Sequence, residues 1–209
     1  MTTTTIFFDL DDTLYPRSSG LWNAVKERIN LYMQERLGFA DTEINELRSR
    51  LFDAYGTTLR GLQCEFHVDT QDYLSFIHDV PIDHYLAPDR DLQRMLKELS
   101  CRKVIFTNAD EKHASRVINT LGLCGCFNAI VDINSMAPYC KPMSQTFDIA
   151  MKIAGESDPS SCVLVDDLPR ITSAARQAGF FTVLIGKSDP HPDADAVLMH
   201  LVDLPDVLP

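Results

Sequence analysis

Two aspartates of this chain, Asp9 and Asp11, come directly after the short apolar run Ile6-Phe7-Phe8. A buried strand that ends in paired carboxylates costs free energy unless a metal ion or hydrogen bonds to the charged form offset that cost. Acids at the carboxyl end of such a strand also stand where open α/β sheets place their active sites. This segment alone therefore predicts a metal-dependent enzyme.

Polar residues suited to catalysis follow three further segments. They are Thr107 with Asn108 after a second predicted strand, Lys141 before Pro142 in a loop, and Asp166 with Asp167 after a later strand. In a parallel sheet every strand points the same way, so we expect all these groups at one edge.

The chemistry that suits this set is phosphoryl transfer. A carboxylate can attack phosphorus and form an aspartyl-phosphate, and Mg²⁺ takes oxygen ligands such as carboxylates. A hydroxyl, an amide and an ammonium group can bind the phosphoryl oxygens, on which charge lies in the transition state. A second acid two residues from the nucleophile can protonate the leaving oxygen and later deprotonate the attacking water.

The elements that position these residues alternate along the chain. A first strand, Thr4–Phe8, is followed by three amphipathic helices, and after Pro88 strands and helices alternate. This order predicts an α/β fold with a parallel sheet covered by helices on both faces. The first of the three helices carries an apolar stripe from Leu21 to Leu37, with Ser19 as its candidate N-cap.

The other predicted elements follow from the same patterns of periodicity, glycine and proline. The two further inserted helices are 44–55 and 70–78; the later strands are 103–107, 129–132, 161–165 and 181–185; the later helices are 89–99, 110–121, 144–154 and 169–178. The tail 196–208 is expected to pack on the sheet edge.

The composition restricts the classes of partner. The chain has 209 residues, a formal net charge of −11 and a sequence pI of about 4.8, so phosphate backbones repel it and nucleic-acid binding is not expected. A small anionic substrate is compatible if a bound metal ion reverses the local potential. We see no signal peptide and no apolar run long enough to cross a bilayer, and we expect a cytoplasmic protein without membrane association.

The remaining reactive side chains form no strong motif. The six scattered cysteines are expected to be reduced thiols, and Cys124-Gly125-Cys126 alone is weak support for a metal or redox pair. Surface or packing roles are predicted for His67, His78, His84, His113 and His191. Tyr15 and Ser19, just after the first acidic pair, can contact substrate or form a turn. No pattern indicates an oligomeric state.

Four motifs in order resemble the haloacid dehalogenase superfamily of phosphatases, over nearly the whole chain. They are Asp9-x-Asp11-x-Thr13, Ile105-Phe106-Thr107-Asn108, Lys141-Pro142 and Val163-Leu164-Val165-Asp166-Asp167. The resemblance implies a Rossmann-like core, residues 1–15 and 88–209, and an α-helical cap, residues 16–87, inserted after the first strand. Further segments resemble the pyrimidine 5′-nucleotidase branch known from plants and fungi: 9–15, 55–62, 106–110, 113–114 and 140–142.

The resemblance also implies the roles of individual residues. Asp9 is implied as the nucleophile and a Mg²⁺ ligand. Asp11 is implied as the general acid/base, with its backbone carbonyl on Mg²⁺. Asp167 is implied as the direct metal ligand of the last pair, with Asp166 behind it.

The same resemblance implies a cradle for the phosphoryl group. Thr107 and Asn108 hold it, Lys141 neutralises both it and the nucleophile, and the backbone N–H groups of Leu10 and Asp11 complete the cradle.

One segment departs from the family pattern. Where the family often has Ser and Asn after the last acidic pair, this chain has Leu168 and Ile171. Loss of groups that support a metal site tends to weaken the site rather than abolish it.

The sequence therefore predicts a Mg²⁺-dependent phosphomonoesterase that acts on a small phosphorylated metabolite, with a pyrimidine nucleoside 5′-monophosphate as the leading candidate. A sugar-phosphate phosphatase or phosphomutase of the same superfamily remains open, since a mutase also keeps both Asp9 and Asp11. Dehalogenation fits poorly, because a departing halide needs no proton. A non-catalytic binding module would be expected to lose the catalytic acids, and both are present.

Overall fold

A computed structural model describes residues 3–209; Met1 and Thr2, with which the predicted core begins, lie outside the described residues. Contacts divide the chain into two compact units. One unit contains the described residues up to Ser19 together with Leu86–Pro209, and the other contains Gly20–Tyr85.

The first unit is built on a six-stranded sheet in which each strand pairs with its neighbours in parallel. The strands are β1 (Thr5–Phe8), β2 (Arg102–Phe106), β3 (Ala129–Val131), β4 (Cys162–Asp166), β5 (Phe181–Ile185) and β6 (Ala196–Leu198). Their order across the sheet is β3-β2-β1-β4-β5-β6. The predicted parallel α/β fold is confirmed, and the predicted edge position of the tail corresponds to β6.

Eight α-helices occur among the described residues. The second unit contains α1 (Leu21–Glu35), α2 (Asp41–Tyr55), α3 (Thr58–Phe66) and α4 (Thr70–Ile77); the first contains α5 (Arg90–Glu98), α6 (Glu111–Thr120), α7 (Ser144–Ala154) and α8 (Pro169–Gln177). Short 3-10 helices cover Arg17–Ser19, Ile82–His84, Pro159–Ser161 and Leu201–Asp206.

The core of the first unit lies around β1. Ile6, Phe7 and Phe8 have no exposed surface. The ring of Phe7 meets those of Phe106 and Phe180 edge-to-face, with centroids 6.2 and 5.7 Å apart. Such contacts add to the free energy of burial and keep the central strand rigid. Residues directly after β1 therefore follow a fully buried strand whose Phe7 side chain packs against aromatic rings of neighbouring elements.

The helical unit has one helix more than the sequence predicted. α3 was missed because Gly61 lies in its middle, and glycine costs a helix roughly 1 kcal/mol relative to alanine. Gly61 is needed there, since a Cβ atom at this position would lie 2.7 Å from the side chain of Leu51 on α2. Thr57 caps α3 by accepting a hydrogen bond from the Arg60 N–H at 3.0 Å.

The predicted N-cap of α1 is wrong. The helix begins at Leu21, and its N-cap is Gly20 with φ of 84°, not Ser19. A side chain at that φ is strained, so the chain enters this helix through a glycine-favoured turn instead of a hydroxyl cap.

The six cysteines carry free thiols, as predicted. Across residues 3–209, no helix combines the length and apolarity needed to cross a membrane.

Candidate active site

The register of the sheet brings the predicted residues to one edge. Phe8 at the end of β1 lies opposite Ile105 of β2 and Val165 of β4. Asp9 is therefore level with the last residues of both neighbouring strands, and its N–H donates to the Val165 carbonyl at 2.9 Å. From β1 the chain adds β2 and β3 on one side of the sheet and β4, β5 and β6 on the other. Open α/β sheets bind ligands at the strand ends where the direction of winding switches in this way.

Lys141 links the two acidic segments. Its side chain is almost fully buried, and its Nζ donates to Asp9 Oδ1 at 2.8 Å and to Asp166 Oδ2 at 2.7 Å. The ammonium also lies 5.1 Å from the centroid of the Phe106 ring, within reach of a cation–π attraction. Burial lowers the pKa of Lys141, but the two carboxylates outweigh burial and raise it, so the group stays charged.

The carboxylates at this edge of the sheet lie close enough to repel one another unless a cation is bound. Asp9, Asp166 and Asp167 present carboxylate oxygens within 4.8 Å of one another. Burial, opposed by Lys141 and assisted by Asp166, raises the pKa of Asp9 to about 7. Burial, with Asp9 and Asp166 nearby, raises the pKa of Asp167 to about 8.

This donor set fits a magnesium ion. Mg²⁺ prefers oxygen ligands, and its charge would remove the repulsion that raises these pKa values. Both oxygens of Asp166 already have partners, because Oδ2 accepts from Lys141 and Oδ1 accepts from the Leu168 N–H at 3.0 Å. Asp9 Oδ2 accepts only a longer contact, 3.4 Å from the Thr13 hydroxyl, so Asp9 and Asp167 are better suited as direct ligands, with Asp166 behind them.

Leu168 and Ile171, which stand where the family pattern has polar residues, contribute a backbone contact and buried packing. The contact from Leu168 to Asp166 comes from its backbone N–H, so it does not depend on the side chain. Ile171 is buried, with 2% of its surface exposed, and contributes packing where the family pattern has a polar group.

Thr107 directly follows β2, the strand that pairs with β1, and it is buried. Its Oγ1 accepts a hydrogen bond from the Ala109 N–H at 3.0 Å. Because that contact uses the oxygen as an acceptor, the hydroxyl proton is available to donate to a ligand oxygen.

The side chain of Asn108 pairs with the backbone of Lys141 in both directions. Its Nδ2 donates to the Lys141 carbonyl at 3.1 Å, and its Oδ1 accepts from the Lys141 N–H at 2.8 Å. The Asn108 amide thereby holds the loop that carries the ammonium group. No local pattern in the sequence pointed to this pairing, which joins residues 33 positions apart.

A tight turn carries the second acid. The carbonyl of Leu10 accepts from the N–H groups of Thr13 and Leu14 at 3.3 and 2.9 Å, and Asp12 has a positive φ of 59°. This turn returns the chain immediately after β1 and keeps Asp11 close to the sheet edge. Thr13 also donates from its hydroxyl to Asp9 Oδ2 at 3.4 Å.

Two aromatic residues contact Asp11. The Tyr15 hydroxyl donates to Asp11 Oδ1 at 2.5 Å, and His113 Nε2 lies 3.0 Å from the same oxygen. Burial first, and then the Asp11 carboxylate, raise the pKa of Tyr15, so its hydroxyl remains a donor.

The predicted surface or packing role of His113 is therefore wrong in part, since this buried ring reaches an acid of the site. One signal was available: His113 lies in the first turn of α6, the helix that directly follows the strand end at Thr107. Tyr15, predicted as a candidate substrate contact, is placed on Asp11. Ser19 ends the 3-10 helix Arg17–Ser19, and its substrate contact stays a prediction.

Comparisons with known proteins agree with this geometry. Residues 3–179 match the family described as haloacid dehalogenase-like hydrolase. Phosphate metabolism protein 8 of Saccharomyces cerevisiae is 30% identical over 175 residues, covering 77% of this chain and 54% of that protein. This chain thus spans about half the length of the yeast relative. Beta-phosphoglucomutase of Bacillus subtilis is 25% identical over 209 residues, covering 95% and 90%.

Solved structures share the fold. The HAD-hydrolase YfnB from Bacillus subtilis, bound to magnesium, has a TM-score of 0.67 at 15% identity, covering 100% of this chain and 99% of that one. L-2-haloacid dehalogenase from Xanthobacter autotrophicus has a TM-score of 0.64 at 16% identity, covering 99% and 98%. At these identities the likeness concerns the fold alone.

Proposed function

This chain belongs to the haloacid dehalogenase-like hydrolases, and on that basis we propose that it is a Mg²⁺-dependent phosphomonoesterase using an aspartyl-phosphate intermediate on Asp9. The observation that carries the proposal is the pair of acids with different surroundings. Asp9 contacts the Lys141 ammonium, whereas Asp11 contacts a phenol and an imidazole. One acid is thus suited to attack as an anion, and the other to transfer a proton.

The first half of the reaction transfers the phosphoryl group to the protein. A carboxylate oxygen of Asp9 forms a bond to phosphorus as the ester P–O bond breaks, and the Asp11 carboxyl gives its proton to the departing alkoxide. The Lys141 ammonium, the Thr107 hydroxyl and the backbone N–H groups of Leu10 and Asp11 bind the phosphoryl oxygens.

The second half releases phosphate. The Asp11 carboxylate takes a proton from water, the water oxygen attacks phosphorus, and the bond to Asp9 breaks. Asp9, Asp167 and the Asp11 backbone carbonyl are the groups we propose as Mg²⁺ ligands. When bound, the ion supplies positive charge for the phosphoryl oxygens.

Dehalogenation is the less suitable reaction for these residues. Halide leaves without a proton, so an acid two residues after the nucleophile would have no task. The fold shared with L-2-haloacid dehalogenase does not alter this, because one fold supports different chemistries.

For the substrate we propose a pyrimidine nucleoside 5′-monophosphate. The support is the set of segments that resemble the pyrimidine 5′-nucleotidase branch, including 55–62 in the helical unit. We propose that the helical unit, Gly20–Tyr85, is the cap that selects the leaving group. The yeast relative is named as a phosphate metabolism protein, which is compatible with phosphate release.

A phosphomutase is the second candidate. The observation in its favour is the match to beta-phosphoglucomutase of Bacillus subtilis, which spans 90% of that protein. A mutase would convert a sugar phosphate into its isomer without net release of phosphate, whereas a phosphatase releases one phosphate for each ester consumed.

A substrate panel tests the proposal. The full chain is incubated with Mg²⁺ and UMP, CMP, AMP or sugar phosphates, and phosphate release and sugar-phosphate isomerisation are both measured. We expect phosphate release, fastest from UMP or CMP. Isomerisation without release would support the mutase, and silence toward every substrate would refute phosphoryl-transfer activity.

A further inference from the structure

Two side chains from different parts of the chain meet one oxygen of Asp11. The Tyr15 hydroxyl lies 2.5 Å from Oδ1, and His113 Nε2 lies 3.0 Å from it. Both aromatic residues are buried, with 2% and 1% of their surface exposed. Side chains packed this closely have little freedom to follow a moving carboxyl group.

The position of His113 is itself fixed by the fold. The first turn of α6 carries it, and the Glu111 N–H at the start of that helix donates to Asp132 Oδ2 at 3.1 Å. The neighbouring Ala114 is fully buried. The helix thus cannot slide or turn without breaking packing, and the imidazole is a rigid contact for Asp11.

Resting on the proposed phosphatase function, we propose that Tyr15 and His113 are positioning residues that clamp Oδ1 of Asp11 and assign proton transfer to Oδ2. In the ionised carboxylate, Oδ1 accepts from the phenol O–H and from the imidazole N–H. In the carboxylic acid, Oδ1 remains the better acceptor when it is the carbonyl oxygen, so the acidic proton resides on Oδ2. The same clamp therefore serves both halves of the reaction.

The clamp has a consequence that depends on the leaving group. An alkyl phosphate such as UMP needs the proton of Asp11 as its ester bond breaks. The leaving group of 4-nitrophenyl phosphate is a stable anion that departs without a proton. A variant that no longer directs the Asp11 proton toward the leaving group should therefore lower kcat/KM for UMP far more than kcat/KM for 4-nitrophenyl phosphate.

The experiment measures kcat and KM of the full chain for both substrates, in wild type and in the variants Tyr15→Phe, His113→Ala and His113→Gln. The ratio kcat/KM reports the steps up to release of the leaving group. We expect Tyr15→Phe and His113→Ala to lower kcat/KM for UMP roughly 10- to 100-fold, through kcat, which is below the full effect of a general acid. For 4-nitrophenyl phosphate we expect less than about a threefold change.

His113→Gln provides the conservative rescue. A glutamine amide can place an N–H close to the position of the imidazole Nε2, so it should recover most of the lost UMP rate. If His113→Ala fails to fold, His113→Gln still allows kcat/KM to be measured with the imidazole replaced. The matched control is His200→Ala, an exposed histidine of the same unit, which should change neither rate.

Equal losses of kcat/KM for the two substrates, or no loss of kcat/KM for UMP, would overturn the clamp. The clamp would also be overturned if kcat/KM for UMP were no higher in His113→Gln than in His113→Ala. These results differ from failure of the proposed function, which would appear as a wild-type protein that hydrolyses neither phosphate ester.

Discussion

The ammonium of Lys141 lies 2.8 Å from Oδ1 of Asp9, although 132 positions separate the two residues along the chain. The same ammonium reaches Asp166, so one buried cation serves two buried anions. This triad forms where β1 and β4 end side by side, and it explains how a buried acid can remain a nucleophile.

Removing the cation should damage both stability and activity. Lys141→Met leaves Asp9 and Asp166 without their buried partner, which we expect to cost about 3–5 kcal/mol of unfolding free energy without metal. Loss of a charge that stabilises the transition state should lower kcat roughly 10²- to 10³-fold. Urea unfolding and steady-state kinetics check both, with Lys112→Met on the exposed face of α6 as the control. Wild-type values for both quantities would contradict the triad's role.

The two acids should differ in what their replacement does. Asp9→Asn removes the attacking anion, and we expect turnover to fall at least about 10³-fold. Asp11→Asn keeps the nucleophile and removes proton transfer, so we expect a loss of roughly 10²- to 10⁴-fold on UMP. Mass spectrometry after brief incubation with substrate should detect phosphorylated protein with wild type and never with Asp9→Asn. The control is Asp53→Asn on the exposed surface of α2, and wild-type rates in either active-site variant would refute the assignments.

The acidic cluster predicts a pH-dependent response to Mg²⁺. Without metal, the folded-state pKa values of Asp9, about 7, and Asp167, about 8, exceed their ordinary value of 3.8. The folded protein therefore binds protons more tightly than the unfolded chain, so this contribution to stability is present below pH 4 and is lost as pH rises through 7 to 8. Mg²⁺ should replace the lost protons and raise Tm more at pH 8.5 than at pH 5.5.

Thermal melts with EDTA and with Mg²⁺ at the two pH values measure this response. Asp167→Asn is the informative variant, since it removes one of the raised pKa values; in EDTA at pH 8.5 it should melt above wild type and gain less from Mg²⁺. An Mg²⁺ shift that is equal at both pH values would contradict the metal site.

Asn108 should act through Lys141. Asn108→Ala removes two hydrogen bonds to the Lys141 backbone, which we expect to cost about 1–3 kcal/mol. The loosened loop should also lower kcat, because Lys141 then samples positions away from the phosphoryl group. Chemical unfolding and kinetics should distinguish this variant from Asn119→Ala, an exposed change on α6. An unchanged kcat would mean that the Lys141 backbone needs no such support.

Much of the fold was predictable because its signals are local. The run Ile6-Phe7-Phe8 is wholly apolar because β1 is buried, and acids directly after it indicate a strand end. Alternation of such strands with amphipathic helices left only a parallel sheet as a reasonable arrangement. Helix α3 was missed for an equally local reason: Gly61 weakens its helical pattern, and only packing against Leu51 explains that glycine.

The sequence alone shows which catalytic groups follow strand ends, and parallel strands must bring those ends to one edge. Tertiary structure decided which of those groups touch. It placed Asn108 on the backbone of Lys141 and directed His113 onto Asp11, because these contacts depend on how a loop and a helix pack against the sheet. Contacts between residues far apart in sequence leave no periodicity to read, and they become visible only when the chain is folded.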